Sequence, residues 1–180
     1  MTCIVGIVSD NKVLMGADAA GVAGHSMTIR RDPKVFEKAG MLIGCTTSFR
    51  MLQLLRFKLV VPKRHPDVDV YEYMCTAFID AVRNTFRSGG FLTKENEGEW
   101  GGQFLVGYEG RLFFVDTDYQ VGECYDGFNA CGSGADIAKG SLFESASNPK
   151  PRARLEAALT AAAHFCAGVR APFTFVGEEP

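Results

Sequence analysis

Thr2 stands directly behind Met1, and the second of the two apolar runs that follow ends on a carboxylate, Asp18. Once Met1 is removed, Thr2 carries a free α-amine beside its hydroxyl, a nucleophile and a base within one residue. An unperturbed α-amine titrates at about 7.7–8.0, so it can take the hydroxyl proton at neutral pH. A nearby cation lowers the pKa of both groups, and a carboxylate holds that cation in place. Backbone N–H groups must then receive the developing oxyanion, the loss of one such donor costing about 2.7–4 kcal/mol. This chemistry requires a Thr, an Asp and a Lys at the ends of neighbouring strands, with a turn of small residues close by. It points to a hydrolase that uses its own N-terminus as the catalytic group.

The elements that must position these residues follow from hydrophobic pattern and turn chemistry. Residues 3–9 (CIVGIVS) and 12–18 (KVLMGAD) read as strands joined at Asp10-Asn11, a dipeptide that tolerates left-handed backbone. Their nearly unbroken apolarity predicts burial on both faces. Residues 19–25 (AAGVAGH) read as a Gly-rich loop, 26–31 as a short strand, and Asp32-Pro33 as a break before Lys34. Residues 34–48 form a second hairpin turning around Lys38, Ala39 and Gly40. Helical spacing then takes over at 48–59, with Ser48 as N-cap and Met51, Leu54, Leu55 and Leu59 inward. The strongest helix is 68–86, with Tyr71, Met74, Phe78, Val82 and Phe86 on one stripe, ended by Gly89-Gly90. The polar run 93–100 has no periodicity and reads as a loop. Strands follow on either side of Glu109-Gly110, then up to Gly122 and from 128 to 134. Two helices at 135–147 and 151–167 precede a last strand at 172–178. Strands in hairpin-linked groups and helices in pairs predict an α+β fold: two packed antiparallel sheets flanked by helix layers, an αββα sandwich. With no repeat or linker, residues 1–180 are expected to form a single domain.

Thr2, Asp18 and Lys34, with the GADAAGVAG and KVF contexts around Asp18 and Lys34, lie at spacings of 16 and 32 from the threonine. In this they resemble the N-terminal threonine hydrolases of the proteasome β-subunit type. The start MTCIVGIV looks most like the simple bacterial proteasome-like proteases, which lose only the initiator Met. The turn GCTTS at 44–48 falls where that family has its oxyanion turn, and Gly132-Ser133-Gly134 matches its Gly-Ser-Gly before the third helix. The resemblance implies Thr2 as nucleophile, Lys34 as the cation that tunes it, and Asp18 as the residue that orients Lys34. It further implies the Ser48 N–H as an oxyanion donor and Ser133 as support for the α-amine or a proton-carrying water. Without the resemblance, Asp18 would read as a turn residue, Lys34 as an exposed lysine and Ser133 as an N-cap. Where the family carries a late Asp-x-x-Ser-Gly, this chain has HFCAG, with His164 and Ala167 in those places. His164 itself reads as a buried helix histidine bonded to a backbone carbonyl.

Composition narrows the function classes. Of 180 residues 47% are hydrophobic and 22% charged, which is a globular mix. A net charge of −2 leaves no basic face for nucleic acid, and Lys63-Arg64-His65 reads as a solvated turn. No run approaches the roughly 18 apolar residues of a membrane span, and the N-terminus lacks a signal-peptide pattern, so a cytoplasmic location is expected. Six cysteines, with no CxxC or Cys/His ligand spacing, read as buried hydrophobes, only Cys3 and Cys45 falling near the site in sequence. No metal or cofactor is expected, and there is no nucleotide-binding GxxxxGK[ST]. The resemblance implies a peptidase for unfolded polypeptide, self-associated into rings and served by a separate ATPase unfoldase. Two other functions fit the same residues: an N-terminal nucleophile amidase on a small molecule, and a catalytically silent ring-forming or accessory protein.

Overall fold

In the computed structural model, which describes residues 1–95 and 98–177, β1 (Ile4–Ser9) and β2 (Lys12–Ala17) pair antiparallel. Asp10 and Asn11 both take positive φ, 49° and 57°, as a type I′ turn demands. The stretch 19–25, expected as a loop, is instead part of a hairpin. β3 (Ala20–Ala23) pairs with β4 (Ser26–Ile29) around Gly24. Small side chains give no alternation to read, and backbone pairing alone defines this strand.

β5 (Val35–Lys38) and β6 (Met41–Cys45) turn at Ala39 and Gly40, as the sequence predicts. α1 (Phe49–Gln53) starts at Ser48, whose Oγ accepts the Arg50 N–H, and continues into a wider π-helical turn, Leu54–Lys58. α2 (Val70–Tyr73) and α3 (Ile79–Ser88) are joined by another π-helical turn, Met74–Phe78. That turn corrects the expected stripe. Residues five apart align in a π turn, so Tyr73 meets Phe78, with ring centroids 6.4 Å apart, and Tyr71 stays exposed.

The polar run 93–100 is also not the loop expected. β7 (Thr93–Glu95) and β8 (Gly98–Trp100) form a hairpin, residues 96 and 97 lying outside the described residues. Glu99 ties it to α3 through Arg83 and Arg87, at 3.0 and 2.5 Å. β9 (Phe104–Tyr108), β10 (Arg111–Val115), β11 (Val121–Glu123) and β12 (Phe128–Cys131) complete the middle of the chain. α4 (Ala135–Glu144), α5 (Pro151–Phe165) and β13 (Thr174–Gly177) close it.

Among the described residues the strands form two antiparallel main sheets, ordered β12-β1-β2-β13 and β11-β10-β9-β6-β5. The first carries α4 and α5 on its outer face, burying Val5, Ile7, Leu14, Leu155 and Leu159. The second carries α1–α3, burying Phe78, Phe86, Phe104 and Phe113. The inner faces meet through Ile4, Met15, Val35, Leu105 and Leu112. β1 is therefore covered on both sides, which is why its sequence is apolar without alternation. The sheets close because Gly44 lacks a Cβ, which would lie 2.4 Å from Ile4 Cγ2. The architecture is the helix–sheet–sheet–helix sandwich that the order of elements predicts. No helix among the described residues is long and apolar enough to cross a membrane.

Candidate active site

The type I′ turn fixes the register Ile4↔Ala17, so the entry to β1 and the exit of β2 lie side by side. One residue further out, Cys3 N donates to Asp18 Oδ1 at 2.9 Å and Asp18 N donates to Cys3 O at 3.3 Å. Lys34 enters from the other sheet, just before β5, and its amine stands between the two. Its Nζ lies 2.8 Å from Asp18 Oδ1 and 2.9 Å from Thr2 Oγ1. All three side chains are buried, unlike the exposed lysine and turn aspartate that each residue suggests alone. Burial pulls Lys34 below its ordinary pKa, with Asp18 acting against that shift. The Phe49 ring, 5.9 Å from Nζ, covers the lysine, and Arg30 stacks on Phe49 at 3.7 Å.

The turn between β12 and α4 seats the backbone of Thr2. Ser133 Oγ accepts from Thr2 N at 3.1 Å and donates to Thr2 O at 3.3 Å, and Gly134 N donates to the same carbonyl at 3.1 Å. Ser133 is not the N-cap of α4; Gly134 takes that place. With Met1 attached, the Thr2 nitrogen is an amide, and Thr2 Oγ1 donates to the Met1 carbonyl at 2.6 Å.

Ser48 lies on the rim of a cavity of about 70 Å³ beside Thr2 and Lys34, walled by Val22, Cys45, Thr46, Phe49 and Leu52. Its N–H donates to Thr46 O at 2.6 Å across Thr47, whose φ is 59°. The structure thus brings Thr2, Asp18, Lys34 and Ser133 into contact, while the Ser48 donor is turned into its own loop.

The connection after α5 adds residues that sequence reasoning misses. Arg170 N donates to Asp18 Oδ2 at 3.2 Å, and its guanidinium donates to the carbonyls of Ala163, Cys166 and Val169. His164 is exposed, its ring edge-on to Phe165 at 4.6 Å, and is not the buried histidine expected. Cys166 is the residue of that stretch that reaches the site, its thiol 3.5 Å from Ser133 Oγ. A separation of 33 residues from Ser133 leaves no local signal for this contact. Of the six cysteines expected to be buried, Cys3, Cys45 and Cys131 are, and burial raises each thiol, Cys3 to about 12, whereas Cys75 is exposed and Cys124 and Cys166 are half-buried. No group of three His, Cys, Asp or Glu side chains among the described residues is placed to hold a metal ion.

No family model and no curated protein matches the sequence. Solved structures do match the fold. BPH of Thiobacillus denitrificans in complex with epoxomicin superposes with a TM-score of 0.80 at 18% identity, over 98% of each chain. Eukaryotic HslV from Trypanosoma brucei gives 0.68 at 13%, over 99% of each chain. The Anbu (Gly-1) mutant from Hyphomicrobium sp. strain MC1 gives 0.71 at 18%, over 99% of this chain and 82% of the other. The fold is the proteasome-like one that these structures share.

Proposed function

We propose that this chain is a threonine-type peptidase whose nucleophile is Thr2 Oγ1, exposed for reaction once Met1 is removed. The observation that carries this reading is the buried contact of Lys34 Nζ with both Thr2 Oγ1 and Asp18 Oδ1. A protonated lysine there favours the alkoxide character of Thr2, and Asp18 keeps the ammonium on the threonine side. The freed α-amine takes the hydroxyl proton as Oγ1 attacks the substrate carbonyl. Collapse of the tetrahedral intermediate leaves an ester on Thr2 and expels the amine fragment, which receives that proton. Water activated by the same amine then hydrolyses the ester. Ser133 holds the amine's nitrogen in place. The Ser48 N–H is the proposed oxyanion donor, a role that requires it to leave Thr46 O, to which it is bonded at 2.6 Å.

Unfolded polypeptide is the proposed substrate, and the chain is proposed to self-associate into rings that confine the site and receive substrate from an ATPase unfoldase. Large apolar side chains exposed on the outer helices and their ends, Phe57, Val60, Phe143 and Phe165, support self-association. A catalytically silent ring-forming protein of the same fold is the second reading, favoured by the Ser48 N–H being bonded within its own turn. Intact mass after incubation with epoxomicin separates the two. The peptidase reading expects loss of Met1 and gain of one adduct, absent in Thr2→Ala. Retained Met1 with no adduct would establish the silent reading.

A further inference from the structure

We propose that Cys166 is a positioning residue for the Thr2 nucleophile and acts through Ser133. This rests on the reading of Thr2 as nucleophile. A serine hydroxyl offers one proton and two lone pairs. At Ser133 the proton goes to Thr2 O at 3.3 Å, one lone pair accepts the Thr2 N–H at 3.1 Å, and the Cys166 thiol at 3.5 Å meets the remaining one. All three hydrogen-bonding positions of the hydroxyl are then occupied in one rotamer. Without the thiol, a side chain free to choose among staggered wells is held only by the residue it must orient.

The backbone of Cys166 is fixed on both sides. Its N–H donates to Ala162 O at 2.9 Å, ending α5, and its carbonyl accepts from the Arg170 guanidinium at 3.2 Å. The same Arg170 presents its own N–H to Asp18, so one short loop braces both the carboxylate and the serine of the site. Cys166 also differs from the other thiols near Thr2. Cys3 and Cys45 are sealed in the core, whereas Cys166 is only half-buried at the helix end. Its contact runs to Ser133 rather than to the threonine hydroxyl, so its contribution falls on the orientation of the Thr2 nitrogen.

The test compares native protein with Cys166→Ala and Cys166→Ser by the rate of epoxomicin addition, by kcat and KM on a fluorogenic peptide, and by thermal midpoint. Loss of one neutral positioning bond predicts about a tenfold lower addition rate and kcat in Cys166→Ala. KM stays unchanged, Cys166→Ser recovers to within about twofold, and all three proteins melt together. Equal rates in Cys166→Ala and native protein, or a serine variant no better than alanine, would overturn the proposal while leaving the role of Thr2 intact. If native protein forms no adduct, the nucleophile reading fails, and a crystal structure of Cys166→Ala still decides the positioning claim. Ser133 Oγ leaving the Thr2 nitrogen supports it; Ser133 Oγ retained in hydrogen-bond contact there refutes it.

Discussion

Asp18 shares a single oxygen, Oδ1, between the Lys34 ammonium at 2.8 Å and the Cys3 amide at 2.9 Å. Its other oxygen takes the amides of Ala20 and Arg170 at 2.9 and 3.2 Å. One carboxylate thus fixes the lysine and also joins the entry of β1, the start of β3 and the segment before β13.

Removing that carboxylate therefore damages more than the charge pair. Asp18→Ala leaves an uncompensated buried ammonium together with three amides lacking their acceptor, and is expected to cost about 3–5 kcal/mol. Lys34→Met strands the Asp18 carboxylate without its cation but leaves it accepting all three amides, and should cost less. Urea unfolding of both variants tests the order, and an Asp18→Ala protein as stable as Lys34→Met would refute it.

Gly132 holds φ at 98°, and a Cβ there would lie 2.4 Å from the Thr2 carbonyl oxygen. Gly132→Ala must displace Thr2 or strain the turn, the strain alone being worth about 1–3 kcal/mol. On the proposed mechanism, shifting Thr2 by an ångström costs about a hundredfold in rate, so epoxomicin addition should fall by about that factor. Gly122→Ala, where the added Cβ meets nothing within 4 Å, serves as the control and should react at the native rate.

Three buried thiols make stability sensitive to alkali. In the unfolded chain Cys3, Cys45 and Cys131 ionise near their ordinary 9.0, whereas burial keeps the folded thiols protonated, Cys3 up to about 12. Above pH 9 the unfolded state binds fewer protons, so stability is fully present below that pH and declines above it. Each thiol contributes up to about 1.4 kcal/mol per pH unit. Lys34 and Lys38, both lowered from 10.5 by burial, act in the opposite sense, since the unfolded state binds their protons more tightly. Tyr73 and Tyr119, raised by burial from 10.0 to about 12, act with the thiols. The urea midpoint should drop between pH 8 and 10.5, with a shallower slope in Cys45→Ala. A flat profile would contradict this.

Much of the scaffold was legible because turn chemistry is local. Asp10, Asn11 and Gly110 adopt the positive φ that their residue types suggest, Glu109 is carried into it by the two-residue turn it shares with Gly110, and each turn pins a hairpin register. Of the contacts around Thr2, those of Asp18 and Lys34 were readable only through joint spacing, since alone Asp18 reads as a turn residue and Lys34 as an exposed lysine. The misreadings have physical causes. A π-helical turn moved the inward position from Tyr71 to Tyr73, and small residues hid β3. At the end of α5 the sequence drew attention to His164, yet the helix stops so that Cys166 turns toward Ser133. Contacts made across more than thirty residues by a thiol or a backbone amide leave no trace in spacing.

The contact between the Arg170 amide and Asp18 has a consequence in time. Synthesis proceeds from the N-terminus, so Thr2, Asp18 and Lys34 emerge well before Ser133, and Arg170 emerges later still. Under the proposed chemistry, a nascent chain carries its warhead long before it owns the hydroxyl and amides that aim it. On that chemistry the setting of Thr2 is complete only after residue 170 has been made, and Met1 removal is a separate step.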